Sequence, residues 1–130
     1  MGILSLISCT ETDKYTQYIN EQLEKYYPNE MVKYEYIVIL PRKGCHSCIK
    51  AAEVFFSTTK ESMNHFFIFT KLDSEKKLGL EIGKENLMRE NVRIDKKDLF
   101  YNSKYYDSNY PLVLHKEANG TFNYKKLISN

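Results

Sequence analysis

The chain has 130 residues, of which 42% are hydrophobic, 14% aromatic and 28% charged. This length suits one domain with a proper core but not two, and the aromatic content is too high for a disordered chain. Nineteen basic residues against seventeen acidic ones leave a formal net charge of +2. The lysines are spread along the chain and predict no concentrated basic surface that would bind nucleic acid. We therefore exclude nucleic acid as a partner.

The first eleven residues have two interpretations. Leu6-Ile7-Ser8-Cys9 resembles a bacterial lipobox, in which the cysteine receives a lipid and the polar residues that follow form a tether. No Lys or Arg precedes Cys9, however, and the apolar stretch 3–7 is shorter than the roughly 7–15 residues of a secretory signal. The other interpretation is a first strand or frayed tail with an inert thiol. We therefore divide the chain into residues 1–11, a residual signal and tether, and a single domain over residues 12–130.

The first predicted element of the domain is an amphipathic helix over residues 12–27, where apolar side chains recur every three or four positions. Pro28-Asn29 ends it. Residues 33–40 predict a strand, because their first half alternates and their second half is continuously apolar, and Pro41 ends that strand.

A loop over residues 41–44 then leads to a predicted helix over residues 47–60. Its inward face carries Cys48, Ala52, Phe55 and Phe56. Residues 64–72 contain a second buried-strand run, and the intervening length suits a helical crossover between parallel strands. The sequence therefore predicts a βαβ unit around residues 45–48.

The remaining elements are less regular. Residues 73–91 predict a helix with a break, because Gly79 and Gly83 each cost roughly 1 kcal/mol relative to Ala. Residues 99–110 are rich in tyrosine and are expected to be partly irregular. The chain ends in a predicted hairpin, with strands over 111–116 and 121–127 joined at an Asn119-Gly120 turn.

The most informative feature is Cys45-His46-Ser47-Cys48, which lies between the first strand and its helix. Two cysteines at this spacing are close enough for a disulfide, and the first thiol lies where unpaired N–H groups and the helix dipole favour a thiolate. In a redox pair, Cys45 attacks a substrate disulfide and Cys48 resolves the mixed disulfide. A static disulfide and a metal site are the alternatives, and a metal is disfavoured because no second ligand pair accompanies the motif. No cofactor is expected.

Three side chains flank the first cysteine with positive charge. Together with the helix N-terminus, Arg42, Lys43 and His46 should lower the pKa of the Cys45 thiol below the free-thiol value of about 8.5. The alternative for Arg42 and Lys43 is a solvated loop whose charges are screened within about 8–10 Å by salt. His46 either stabilises the thiolate of Cys45 or is an exposed side chain with no effect on that thiolate.

The order of elements, the placement of Cys45 and Cys48 and the later Tyr110-Pro111 together resemble the thioredoxin fold over residues 31–130. The long gap between motif and proline is more similar to exported TlpA-like or small lipoprotein thioredoxin-fold proteins of Bacteroidetes-type bacteria. The resemblance implies an α/β domain with a central mixed sheet of about four to five strands and helices on both faces. It also implies a cis Tyr110–Pro111 bond facing the disulfide, with Tyr110 and Pro111 contacting substrate.

The tyrosines around that proline have two interpretations. Tyr101, Tyr105 and Tyr106 form either a rim for a partner chain or half-buried core.

Three departures from thioredoxin matter as well: the chain has no tryptophan, Gly44 and His46-Ser47 replace the usual neighbours of the cysteines, and Ile39 stands where thioredoxin has a buried carboxylate. The direction of electron flow therefore stays open.

The sequence thus predicts a thiol-disulfide oxidoreductase that acts on protein disulfides in the bacterial envelope, with protein thiols and a redox partner as its partners. It is expected to be a monomer whose contact with the membrane, if any, runs through a lipid at Cys9. If the lipobox resemblance is chance, the protein is cytoplasmic. The alternative function is a binding module without enzymatic activity that uses the groove around Tyr110-Pro111.

Overall fold

A computed structural model describes residues 13–101, 104 and 110–127. Cys9, Tyr105 and Tyr106 lie outside the described residues, so the interpretations that depend on them stay predictions. The helices are α1 (Lys14–Tyr26), α2 (Pro28–Lys33), α3 (His46–Thr59), α4 (Glu75–Ile82) and α5 (Lys84–Leu87). The strands are β1 (Tyr36–Pro41), β2 (His65–Thr70), β3 (Val92–Asp95), β4 (Leu112–Lys116) and β5 (Phe122–Lys126).

The five strands form one mixed sheet in the order β3-β2-β1-β4-β5. Strands β1, β2 and β3 are parallel, so β1, α3 and β2 form the predicted βαβ unit. β4 runs antiparallel to β1, and β5 runs antiparallel to β4. The predicted α/β class with a mixed central sheet is confirmed, and the architecture is compatible with a thioredoxin-like fold.

Apolar side chains cover both faces of the sheet. One face packs against α1 through Ile19 and Leu23, and the other packs against α3 and α4 through Phe56 and Leu78. The central strands read as continuous apolar runs because their alternate residues enter these two different clusters. The helices therefore lie on both faces, as predicted.

The helix boundaries follow local chemistry. The Asp13 side chain accepts a hydrogen bond from the Thr16 N–H at 2.7 Å and so caps the start of α1. Pro28 ends that helix as predicted but also begins α2, since proline suits the first position of a helix, where no N–H is needed. The predicted break in the later helical segment lies at Gly83, whose φ of +97° favours glycine.

The C-terminal hairpin is confirmed. The Glu117 N–H donates to Thr121 O at 2.7 Å, the Gly120 N–H donates to Glu117 O at 2.9 Å, and Gly120 has a φ of +91°. At the outer edge of β5, the Asn20 side chain from α1 bonds both backbone groups of Phe122. Its amide donates to Phe122 O, and its oxygen accepts from the Phe122 N–H, each at 2.9 Å.

Among the described residues, no helix is long and apolar enough to cross a membrane.

Candidate redox site

The cysteine motif lies at one edge of the sheet. Strands β1 and β2 are parallel and end in register at Pro41 and Thr70, so the chain leaves both at this edge. β4 is antiparallel to β1, with Leu112 opposite Ile39, so β4 begins at the same edge. The topology therefore brings Pro111 to the edge at which the chain enters the cysteine motif.

The loop between β1 and α3 shapes the start of the motif. Gly44 has a φ of +125°, which residues with a side chain rarely adopt. Cys45 follows as the N-cap of α3, and its Sγ accepts a hydrogen bond from the Cys48 N–H at 3.1 Å. Cys45 and Cys48 form a disulfide with an S–S distance of 2.03 Å. The structure is therefore that of the oxidised pair.

The two sulfur-bearing residues differ in exposure. Cys45 is exposed, whereas Cys48 is only 7% exposed and lies on the inward face of α3 with Ala52 and Phe56. Phe55, predicted on the same face, is only partly buried and packs at the border of the cluster. An incoming sulfur would therefore meet Cys45 first.

The predicted cationic residues before Cys45 are paired with carboxylates. The Arg42 side chain is only 6% exposed, and its Nη2 donates to Glu53 at 2.7 Å and to Glu81 at 2.8 Å. Its Nε and Nη1 are buried without a hydrogen-bond partner among the described residues. Lys43 faces Asp73 at 3.8 Å. The structure thus places Arg42 in a link between α3 and α4, while an effect of Arg42 or Lys43 on the thiolate stays a prediction.

His46 is exposed at the first turn of α3 and lines a groove of about 320 Å³ between α3 and α4. Ile49 and Leu78 form apolar walls of this groove, and Arg42 lies within it. Sequence reasoning missed the groove and the two glutamates that hold Arg42. They come from positions 11 and 39 residues further along the chain, a separation that no local pattern reveals.

The prediction of a cis Tyr110–Pro111 bond is wrong, because no peptide bond between described residues is cis. The trans form is the intrinsically favoured one, by roughly 0.5–1 kcal/mol for a bond to proline. Pro111 is buried, and its carbonyl accepts from the Leu127 N–H at 2.7 Å, extending the pairing of the hairpin. The Tyr110 carbonyl accepts from the Tyr101 hydroxyl at 2.7 Å. Substrate contact by Tyr110 or Pro111 stays a prediction.

Tyr101 is 8% exposed and belongs to the core, which agrees with the second interpretation of that tyrosine.

Ile39 is fully buried, so β1 carries no carboxylate beneath the motif. A buried carboxylate, Asp95, lies at the same edge of the sheet, at the end of β3, and accepts from the Thr70 hydroxyl at 3.0 Å. Two strand spacings, about 10 Å, separate it from β1.

Among the described residues, no group of three or more His, Cys, Asp or Glu side chains is arranged to hold a metal ion.

Comparison with models of known protein families, with curated proteins and with solved structures finds no match. The fold and the site therefore define the class: an α/β domain with a Cys-x-x-Cys disulfide at the start of a helix, which is compatible with a redox motif.

Proposed function

We propose that the protein is a thiol-disulfide oxidoreductase that acts on protein disulfides in the bacterial envelope. The observation that carries the proposal is the unequal pair at the start of α3, in which Cys45 is exposed and Cys48 is buried. A disulfide that served stability alone would not require its first cysteine at the surface.

The exchange proceeds in two steps. In the reduced protein, the Cys45 thiolate attacks one sulfur of a substrate disulfide, forming a mixed disulfide and releasing the other substrate sulfur as a thiolate. Cys48, after losing its proton, then attacks the Cys45 sulfur, which re-forms the Cys45–Cys48 disulfide and releases the second substrate thiolate. Two electrons pass from the protein to the substrate. The reverse sequence, begun by a partner thiolate at Cys45, oxidises the partner.

The local structure supports Cys45 as the attacking sulfur. The Cys48 N–H that points at Cys45 Sγ would donate to a thiolate, and hydrogen bonds to a charged group favour that charged form. The N-terminal end of α3 adds the positive end of the helix dipole. Cys48 lacks this surface access and is placed to act only on a sulfur already bound to Cys45.

Alkylation and trapping test the proposal, with Cys9→Ser as the background so that two thiols remain. We expect the reduced protein to be alkylated by iodoacetamide at Cys45 faster than at Cys48, as resolved by peptide mass spectrometry. A further Cys48→Ala substitution should accumulate mixed disulfides with envelope proteins, because the resolving thiol is gone. The matched Cys45→Ala variant should trap none.

Equal, slow alkylation of both cysteines together with no trapped protein would contradict the proposal. A Cys45→Ser, Cys48→Ser double variant separates the proposal from the alternative binding module. Loss of partner capture in that variant is expected for the oxidoreductase, whereas unchanged capture would favour a binding module.

A further inference from the structure

The groove between α3 and α4 begins beside the disulfide. His46, which lies between the two cysteines in sequence, lines the groove, and Lys50 lies one turn further along α3. The facing wall comes from α4, where Lys77 and Leu78 contribute. A polypeptide whose cysteine reaches Cys45 would therefore place its neighbouring residues at the entrance of this groove.

The two helix ends at the groove favour an anion. The side-chain charges of the lining balance, since the three cations Arg42, Lys50 and Lys77 accompany the three carboxylates Glu53, Asp73 and Glu81. Both flanking helices also begin at this end, with Cys45 as the N-cap of α3 and Ser74 as the N-cap of α4. Each helix N-terminus adds the equivalent of roughly half a positive charge.

Two further observations show nitrogen donors at the groove that have no acceptor among the described residues. Buried polar nitrogens are normally hydrogen-bonded, yet Nε and Nη1 of Arg42 have no partner among the described residues, although the side chain is only 6% exposed. Lys50 is exposed at the rim and forms no ion pair within residues 13–101. A carboxylate supplies acceptor oxygens without adding donors, so it matches both deficits.

We infer that this groove binds an acidic side chain that lies next to the reactive cysteine of the partner polypeptide. The inference rests on the proposed function and names the class of partner: a chain whose cysteine has Asp or Glu beside it. Lys50 and the two helix N-termini attract the carboxylate at the rim, and Arg42 adds a buried guanidinium with two unpaired nitrogens to the lining of the groove. His46 lies between this site and the disulfide.

Peptides test the inference directly. Three short peptides, identical except that the cysteine is flanked by Glu, Gln or Lys, are each activated as a mixed disulfide with neutral 2-thiopyridine. Reaction with the reduced Cys9→Ser protein releases pyridine-2-thione, whose absorbance gives the second-order rate constant. We expect the Glu peptide to react about fivefold or more faster than the Lys peptide at low salt, with the Gln peptide between them and the difference shrinking as salt rises.

Charge reversal by Lys50→Glu should remove most of that preference. Lys60→Glu is the matched control, because it makes the same change at the other end of α3 and should leave the preference intact. Dividing each rate by that of the Gln peptide removes any general effect of a variant on the reactivity of Cys45.

The two proposals fail in different ways. Equal rates for the three peptides, or a preference that Lys50→Glu and Lys60→Glu change alike, would overturn the acidic-partner inference and leave the oxidoreductase proposal standing. No reaction with any peptide would overturn the oxidoreductase proposal and the inference with it.

Discussion

Cys45 and Cys48 are three residues apart, and the start of α3 gives them opposite roles. As the N-cap, Cys45 precedes the first helical residue and stays at the surface, while Cys48 begins the inward face. The sequence predicted this asymmetry, since the spacing of Cys48, Ala52 and Phe56 already marks a helical face. It did not predict the partners of Arg42, because ion pairs between separate helices depend on how those helices pack.

A second residue with an unusual environment, His65, lies at the opposite edge of the sheet, where β2 begins beside the start of β1. The His65 ring stacks on Tyr36, with ring centroids 4.6 Å apart, and Tyr36 stacks on His115 from the next strand at 4.8 Å. His65 Nδ1 lies 2.7 Å from the Ser62 hydroxyl, and His115 faces Glu35 at 3.0 Å. Burial lowers the pKa of His65 below its ordinary value of 6.5.

The lowered pKa of His65 predicts a pH dependence of stability. The unfolded chain takes up a proton at this side chain near pH 6.5, while the folded protein resists it, so the free energy of unfolding falls as the pH drops below 6.5. This contribution is fully present above pH 6.5. Urea unfolding between pH 7.5 and 5.5 should therefore show a steeper loss for the wild type than for His65→Asn. An equal loss of the free energy of unfolding with pH in the two proteins would contradict the predicted contribution of His65.

Among the elements, α3 links the site to the core. Phe56 is 2% exposed and packs edge to face against Phe67 and Phe69, with ring centroids 5.0 and 5.1 Å apart. These rings hold α3 against β2, while the Arg42 link with Glu53 and Glu81 ties the middle of α3 to α4. The position of Cys48 therefore depends on packing two turns away from it.

Phe56→Ala tests this dependence. We expect a loss of about 3–5 kcal/mol in the free energy of unfolding, because a buried ring is replaced by a cavity. In the reduced protein, Cys48 should also alkylate faster, whereas Cys45, already exposed, should change little. Val54→Ala is the control: Val54 is 53% exposed, and its loss should cost no more than about 0.5 kcal/mol. Unchanged Cys48 alkylation in a destabilised Phe56→Ala protein would argue against the link.

Element prediction succeeded where a pattern was long and failed where it was short. The amphipathic spacing gave α1, the apolar runs gave β1 and β2, and the Asn119-Gly120 signal gave the hairpin. β3 was missed, because its four residues include Arg93 and Asp95 and are too few for a clear period. It forms as the outer partner of β2, with Ile68 in register with Arg93, which is a tertiary effect.

At the scale of the whole molecule, the sheet is held by separate apolar clusters on its two faces, and the disulfide is joined to one of them through Cys48, which shares the inward face of α3 with Ala52 and Phe56. The disulfide closes a short loop of the chain, since only two residues separate the cysteines. A loop this short removes little conformational entropy from the unfolded chain, so the disulfide adds at most about 2 kcal/mol to the free energy of unfolding, against a typical domain stability of about 5–15 kcal/mol. The fold should therefore not depend on the oxidised state.

The reduced protein is accordingly expected to remain folded. Circular dichroism and amide NMR spectra with and without dithiothreitol should differ mainly around the motif, and the free energy of unfolding should fall by about 2 kcal/mol or less. A Cys45→Ser, Cys48→Ser variant should behave like the reduced protein. Global unfolding on reduction would instead assign the disulfide a structural role.

The Asn20 side chain has a consequence for one outer edge of the sheet. Strand β5 forms an outer edge of the sheet, and an open edge offers backbone groups to which another chain can add. By bonding both backbone groups of Phe122, Asn20 imitates a single residue of a sixth strand. It thereby occupies one position of this edge, at which a strand of a neighbouring molecule would otherwise find unpaired backbone groups.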